Sequence, residues 1–395
     1  MSPEERLVAV VGCEGYERKE VMEAVRRSID LVGGLGSFVG KGQRVLVKPN
    51  LLHGSAPEKC VTTHPEVVRA VCQLLMEHGC QVVIADSPGA GTIYTEGSLR
   101  KAYAASGWTK VAEELGVSLN YGTGYKEVAA PQGRKVKLFL IIDPALEADA
   151  IVVVSKAKTH VLTTMTGAAK NMFGVVVSIE KPAMHARFQS VADFSQMIID
   201  LNELMRPDLQ VMDAVMGMEG DGPHTGEPRK IGAILASADY TALDTVEARL
   251  MSLDPLEVGT IRAAADRGLI APDLSDVKTV GDPLERFVVK DFKRPRTLNK
   301  EKGFGQSRLS SAALALVKAY SLKPMVDAQR CTSCGHCVRV CPKGTIAMRN
   351  GKARIDAGHC IRCFCCHEAC PSKAIKLQRS LGGRALARMV ERGRR

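Results

Sequence analysis

The feature that most constrains this 395-residue chain is a cysteine run that occurs twice near its C-terminus. Cys331-Thr-Ser-Cys334-Gly-His-Cys337-Val-Arg-Val-Cys341-Pro342 is followed by Cys360-Ile-Arg-Cys363-Phe-Cys-Cys366-His-Glu-Ala-Cys370-Pro371. Nine of the 13 cysteines lie between Cys331 and Cys370, which suits metal ligands rather than the disulfide framework of a small exported domain. In each run three thiols follow the spacing C-x2-C-x2-C, and a fourth stands three residues further on, before a proline. A cubane iron–sulfur cluster needs four converging thiolates; the tight loop supplies three, and the fourth turns away to the neighbouring cluster. The spacing therefore assigns Cys331, Cys334, Cys337 and Cys370 to one 4Fe-4S cluster, and Cys360, Cys363, Cys366 and Cys341 to a second. Zinc knuckles also use CxxC pairs, but they have no need of four cysteines per half with a following proline. The extra thiol, Cys365, reads as a packed side chain, with an alternate ligand role left open.

Charge divides the chain sharply. The formal net charge is +11, yet residues 1–289 carry 30 Lys+Arg against 37 Asp+Glu, while residues 290–395 carry 24 against 6. Residues 324–378 alone hold 9 basic and 3 acidic side chains, which suits an acidic redox partner or an acidic surface. Nucleic acid is disfavoured, because the arginines lack interleaved aromatics and no recognised nucleic-acid module is present. The N-terminus starts acidic and runs straight into an apolar strand, without the basic region and cleavage site of an export signal, and no apolar window is long enough to span a bilayer. The expectation is a cytoplasmic protein, with the basic tail Arg379 to Arg395 available for peripheral contact with anionic lipid.

From residue 6 to about 289, short β-rich runs alternate with longer amphipathic stretches, the pattern of a parallel α/β sheet. Strands are expected at Leu7 to Val11, Arg44 to Val47, Gln81 to Ala85, Ala150 to Val154, Leu209 to Met212, Ile231 to Leu235 and Val277 to Val280, with weaker ones near Val117, Val128 and Leu138. Helices are expected at Arg18 to Val32, Pro65 to His78, Ser98 to Leu115, Val191 to Leu204, Thr241 to Met251 and Pro255 to Arg267. The fold class is α/β: a large, mostly parallel-sheet domain (1–289), a basic linker with a short helix at Ser310 to Tyr320 (290–323), a small α+β ferredoxin-like domain (324–378) and a basic tail (379–395). Ile346-Ala-Met and Ile375-Lys-Leu would be equivalent strands after the two cysteine runs.

In open α/β sheets ligands bind beyond the carboxyl ends of the strands. Those ends carry Lys48 and Asn50, Asp86 and Ser87, the segment Lys156-Ala-Lys158-Thr-His160, and Asp213. An extended backbone sets Lys156, Lys158 and His160 on one face, and two ammonium groups with an imidazole point to an anion. Lys170 and Asn171 lie in a small-residue segment, Thr166 to Gly174, fit for close approach to a ligand. Glu219 and Asp221, in a loop with three glycines, are expected as acid/base groups or ligands of magnesium or calcium, and His224 or His64 joining them would suit a transition metal. His64 and His185 are candidate general bases. Lys156, Lys158, His160, Lys170, Glu219, Asp221 and His64 are thus the candidate catalytic residues, and Lys48, Asn50, Asp86, Ser87, Asn171 and Asp213 the candidate cofactor-binding set. Cys13, Cys60, Cys72 and Cys80 have no cluster spacing and read as packing residues; Gly33-Gly-Leu-Gly36 and Gly89-Ala-Gly91 are too short for a nucleotide-binding fingerprint.

The cysteine region resembles bacterial-type two-cluster ferredoxins. Val47-Lys-Pro-Asn50, Thr63-His64-Pro65, Asp86-Ser-Pro-Gly89, Lys156-Ala-Lys158-Thr-His160, Gly167-Ala-Ala-Lys-Asn171 and Gly217-Met-Glu-Gly-Asp-Gly-Pro223, in that order, resemble the family called domain of unknown function 362 over roughly residues 7 to 290. These motifs mark a family without defining a reaction, and an appended ferredoxin unit is a familiar partner of that domain. A more distant likeness is to lactate-racemase-type proteins, which use a nickel pincer cofactor held by Lys and His residues. The function expected is an iron–sulfur oxidoreductase whose two 4Fe-4S clusters exchange electrons with an anionic substrate or cofactor in the large-domain cleft; a further metal or a flavin is left open. The alternative is a non-catalytic redox carrier or maturation module that docks a partner enzyme.

Overall fold

Nine of the eleven described strands of the large domain gather into one twisted sheet because its central members are apolar on both faces, and the other two form a separate antiparallel pair. In this computed structural model residues 5–89, 92, 94–296 and 323–378 are described. The strands are β1 (Arg6–Gly12), β2 (Arg44–Pro49), β3 (Gln81–Ile84), β4 (Ser118–Leu119), β5 (Tyr125–Ala129), β6 (Leu138–Ile142), β7 (Ala150–His160), β8 (Thr164–Met165), β9 (Leu209–Glu219), β10 (Glu227–Ser237) and β11 (Val277–Gly281). The main sheet has the order β11, β1, β10, β9, β7, β2, β3, β4, with β8 on the end of β7. Every strand of that path except β10 runs one way, so β2, β3, β7 and β9 deliver their carboxyl ends to the same edge.

Alternation along β2 shows how the layers form. Val45 and Val47 pack with the helices Arg18–Leu31 and Pro65–His78, while Leu46 faces Phe139, Phe173 and Phe194 on the other side. All of β7 is buried, as a strand covered on both faces must be. Pro65 opens its helix as expected, His64 caps it by accepting the Glu66 amide through Nδ1 at 3.2 Å, and Gly79 closes it at φ 96°.

Four differences from the sequence expectation have local causes. The helix expected over Ser98 to Leu115 is two, Glu96–Ala105 and Trp108–Leu115, broken where Gly107 takes φ 77°. The one expected over Pro255 to Arg267 is a short 3-10 turn followed by the helix Gly259–Ala265. β7 and β9 run past their apolar cores, to His160 and Glu219, so the Lys156 to His160 segment is strand rather than connection. β10 is antiparallel, because it returns beside β9 through the loop 220–226 as a hairpin. The helix expected at Ser310 to Tyr320 and the tail Arg379 to Arg395 lie outside the described residues. Among those described, no helix is long and apolar enough to cross a membrane.

The C-terminal unit is built from two similar halves. β12 (Lys323–Val326) pairs with β15 (Ile375–Gln378), and β13 (Ile346–Arg349) with β14 (Lys352–Ile355), so the two strands expected after the cysteine runs are present. The repeat is also visible in the backbone: Ser333 and Arg362, Gly335 and Phe364, and Gly344 and Lys373 take left-handed φ at matching positions. Phe364 is the exception in kind. A bulky residue at φ 64° is strained where the first half uses glycine, and its buried ring lies against Val161, just after β7, and Leu377 of β15. That contact, the 2.8 Å hydrogen bond between Thr225 Oγ1 and His367 Nε2, and the approach of Glu368 to His160 seat the cysteine unit on the sheet edge.

Replacing Phe364 with Gly relieves the strain but removes the ring. Losing a buried Phe costs about 3–5 kcal/mol against roughly 1–3 kcal/mol of relieved strain, so the seat loosens. Hydrogen exchange should quicken at the Val161 amide, which donates to Gly222 O, while β1 keeps its protection; unchanged exchange at Val161 would show the contact to be incidental.

Candidate functional site

At the carboxyl edge of the sheet, side chains from five elements meet around a cavity of about 70 Å³. β2 and the residue pair after it supply Lys48 and Asn50, the turn after β3 supplies Asp86 and Ser87, and β7 supplies Lys158. The helix Gly167–Asn171 adds Lys170 and Asn171, and the helix Glu180–Arg187 adds Lys181 and His185. Glu368, from the helix Cys365–Glu368 of the cysteine unit, completes the lining. Seven of the residues expected at the strand ends or in the Thr166 to Gly174 segment are therefore brought together.

Two features let the elements approach this closely. A Cβ on Gly174 would collide with both Lys48 Nζ and Asp86 Oδ1, so only glycine fits there. Gly167 takes φ 60° against the buried carboxylate of Asp244, which accepts the amides of Ala168 and Ala169 and so fixes the start of the Lys170 helix.

The lysines differ in what they touch. Lys48 Nζ donates to Asp86 Oδ2 at 2.5 Å, Asn171 Oδ1 at 2.8 Å and Pro49 O at 2.9 Å. Lys158 Nζ donates to Asn50 Oδ1 at 2.7 Å and Val61 O at 2.6 Å. Lys181 Nζ donates to Ser87 O at 2.5 Å and Pro88 O at 2.9 Å. Lys170 has no hydrogen-bond acceptor among the described residues. Burial disfavours the charged form of every one of them: it lowers Lys48 despite Asp86, lowers Lys170, takes Lys181 to about 7, and drives Lys158 well down with Lys170 and Lys156 adding repulsion. His185, stacked on Phe194, is held neutral by burial and by Lys170 and Lys181, at about 3. Burial raises Glu368 to about 7, with Lys170 and Lys158 pulling the other way. Its Oε1 lies 3.3 Å from His160 Nε2, close enough for an ion pair but not aligned as a hydrogen bond, and burial keeps that imidazole neutral.

The remaining candidates go elsewhere. Lys156 donates to Asp213 Oδ2 at 2.8 Å and to Tyr16 Oη at 2.9 Å, Tyr16 donates to Asp213 Oδ1 at 2.8 Å, and the His64 ring stacks on Tyr16 at 3.5 Å. Lys156, Asp213 and His64 thus form a closed network beside the cavity rather than within it, and burial takes His64 down to about 4. The shared face expected for Lys156, Lys158 and His160 does not give a shared site: their ends go to Asp213, to the cavity and to Glu368 respectively. Glu219 and Asp221 also stand away from the cavity. Glu219 ends β9 and accepts the Lys293 amide at 3.0 Å, and Asp221 accepts the Arg296 amide at 3.0 Å and pairs with its guanidinium, so both carboxylates anchor the start of the basic segment. His224 packs edge-on against His53. Among the described residues no group of three or more His, Cys, Asp or Glu side chains is placed to hold a single metal ion, and the Glu219 and Asp221 carboxylates, expected as acid/base groups or metal ligands, are engaged by the basic segment.

Cys331, Cys334, Cys337 and Cys370, one of the sets read from the spacing, line one small cavity. Burial raises Cys360, with Cys363 and Cys341 adding to it, and burial likewise raises Cys366, with Cys363, Cys360, Cys337 and Cys341 adding to it, so Cys366 also stands near a thiol of the first set. The amides of Thr345 and Ala374, at matching places in the two halves, donate to Cys341 Sγ at 3.3 Å and Cys370 Sγ at 3.2 Å. Cys365 is buried against Val340 and its thiol donates to Cys363, whose pKa it lowers.

Sequence reasoning missed Lys181 and Glu368. Lys181 sits outside any strand end, in Glu180-Lys-Pro, with no local mark. Glu368 did carry one: it is the only acidic residue within either cysteine run.

Residues 45–249 match the family described as Domain of unknown function (DUF362), and residues 323–371 match the 4Fe-4S dicluster domain. A thylakoid-associated protein of Synechocystis sp. is 32% identical over 292 residues, covering 74% of this chain and 88% of that protein. The lactate racemase apoprotein from Thermoanaerobacterium thermosaccharolyticum aligns at a TM-score of 0.37 and 12% identity over 60% of this chain and 55% of that one, a likeness from which nothing further follows.

Two stability tests follow from the cavity. Lys48→Met leaves Asp86 buried and unpaired and should cost about 3–5 kcal/mol in urea unfolding, while Lys48→Met with Asp86→Leu should recover much of that; additive losses would deny the pairing. Lys181 is neutral in the fold above about 7 but protonated when unfolded up to 10.5, so the unfolded chain binds more protons between those values. Stability relative to Lys181→Met should therefore rise with pH across that window, by at most about 1.4 kcal/mol per unit, and melting curves that run parallel would contradict it.

Proposed function

From the premise that the chain belongs to the DUF362 family and carries a 4Fe-4S dicluster domain, we propose that it is an iron–sulfur oxidoreductase in which the cysteine unit serves the lysine cavity. The observation that carries this reading is Glu368, which stands two residues from each of Cys366 and Cys370 and lines the cavity with Lys48, Lys158 and Lys170. The ligands would be Cys331, Cys334, Cys337 and Cys370 for one cluster and Cys341, Cys360, Cys363 and Cys366 for the other. When bound, the clusters supply one-electron transfer.

The chain's own residues do the rest. Lys158, Lys170 and Lys181 bind and orient an anionic substrate by charge, and Lys48 with Asp86 and Asn171 fixes the floor beneath it. Phe364 on Val161 keeps water out at the seam. Glu368, at about 7, can hold a proton on its carboxyl at neutral pH, and His160, whose Nδ1 accepts the Leu162 and Thr163 amides, turns its Nε2–H toward it.

Electrons would enter from the opposite side. A groove on the cysteine unit is lined by Lys343, Arg349, Arg354 and His359 together with Thr345, whose amide bonds Cys341. Its charge suits an acidic protein donor. The same groove supports the second reading, a redox carrier without catalysis. The thylakoid association of the Synechocystis relative makes peripheral contact of the tail Arg379 to Arg395 with anionic lipid a further part of the proposal.

The two readings separate on reduced, anaerobically loaded protein mixed with a low-molecular-weight cell fraction. Lys158→Met should slow substrate-dependent reoxidation by about 100-fold while leaving reduction by dithionite unchanged. Equal reoxidation by both proteins would leave only the carrier reading.

A further inference from the structure

The hydrogen-bond donors of the cavity do not balance. Lys48 spends all three N–H groups of its ammonium, whereas Lys158 and Lys181 each spend two, and Lys170 spends none among the described residues. The hydroxyl of Ser87, which lines the same space, is buried with no partner among the described residues. Asp86 is already committed to Lys48, which leaves Glu368 as the one lining carboxylate to face Lys158, Lys170 and Lys181. Burial alone disfavours the third proton of Lys158 and Lys181, and a neutral amine has no third N–H to offer; an anion, unlike water, supplies the counter-charge that keeps the ammonium form and its free donor.

Lys170 is the centre of this arrangement: it acts electrostatically on Lys158, Lys181, His160, His185 and Glu368. The unspent donors come from β7, from two helices and from the turn after β3, so they reach the space from several elements. A space of about 70 Å³ takes an anion of only a few atoms, and one with acceptor oxygens on every side meets more of these donors than a carboxylate, which accepts at one end. We propose that the cavity binds a compact inorganic oxyanion of three or four oxygens, of the phosphate, sulfate or carbonate class, with Lys170 as its principal ligand and Lys158, Lys181 and Ser87 around it. This names the chemistry of the substrate site in the function above, and rests on that reading for the anion's role in turnover.

The test is isothermal titration of the holo protein with inorganic phosphate, sulfate and bicarbonate, with acetate as the carboxylate comparison. At least one oxyanion should saturate with a Kd of about 1 mM or tighter, at least about tenfold below that of acetate. Lys170→Gln should weaken binding by at least about tenfold and Lys170→Arg should keep it within about threefold, as a retained positive donor would. A thermal shift of the unaltered protein with the same ions checks binding without any variant. Absence of saturation by all three oxyanions, equal binding of acetate, or full binding by Lys170→Gln each overturns the assignment. If no oxyanion binds but Lys158→Met still loses reoxidation, the oxyanion assignment fails and the oxidoreductase reading stands. If oxyanions bind and reoxidation ignores Lys158, the site stands and the reading fails.

Discussion

Positive charge held away from water is the constraint on which the rest of this structure depends. Lys48, Lys158 and Lys181 are buried at the edge where the parallel strands end, with Lys170 beside them, and ammonium groups in such a place must find acceptors or lose their protons. The fold answers with Asp86, Asn50, Asn171 and backbone carbonyls for some of their N–H groups and leaves others unspent. The glycine at 174 and the carboxylate of Asp244 are consequences of this: one lets the chain approach the Lys48–Asp86 pair, the other holds the helix that carries Lys170.

The cysteine unit is fitted to that edge by small departures from its own repeat. Where the first half has Gly335, the second has Phe364, strained in its backbone and packed on Val161. Where the first cysteine run has Val338 and Arg339, the second has His367 and Glu368, one bonded to Thr225 and the other lining the lysine cavity. The half that faces the large domain has thus exchanged generic residues for ones that dock. In the function proposed above, electron transfer and ligand binding fall on two sides of one short helix, Cys365–Glu368.

Much of this was legible in the residues. The cysteine spacing pointed to a 4Fe-4S dicluster domain, and the rule that α/β sheets bind ligands at their carboxyl edge led to Lys48, Asn50, Asp86, Ser87 and Lys158, while the small-residue segment led to Lys170 and Asn171. What could not be read was the third dimension within a strand. Lys156 and Lys158 share a face of β7, yet the ladder to β9 is irregular between them, and one meets Asp213 while the other meets Asn50. Glu219 and Asp221 looked reactive because glycines surround them, but their partners, Lys293 and Arg296, lie more than seventy residues away in sequence. Glu368 belonged, on paper, to the cluster motif, and only the docking of the two units shows that it faces the lysines.

The central claim is that the cavity and the clusters form one functional unit joined through the helix Cys365–Glu368. Electron–nuclear double resonance on the reduced, loaded protein in the presence of inorganic phosphate tests it most directly. The account predicts a phosphorus coupling to a reduced cluster that disappears in Lys170→Gln. A spectrum without that coupling, from protein shown by titration to have phosphate bound, would contradict it.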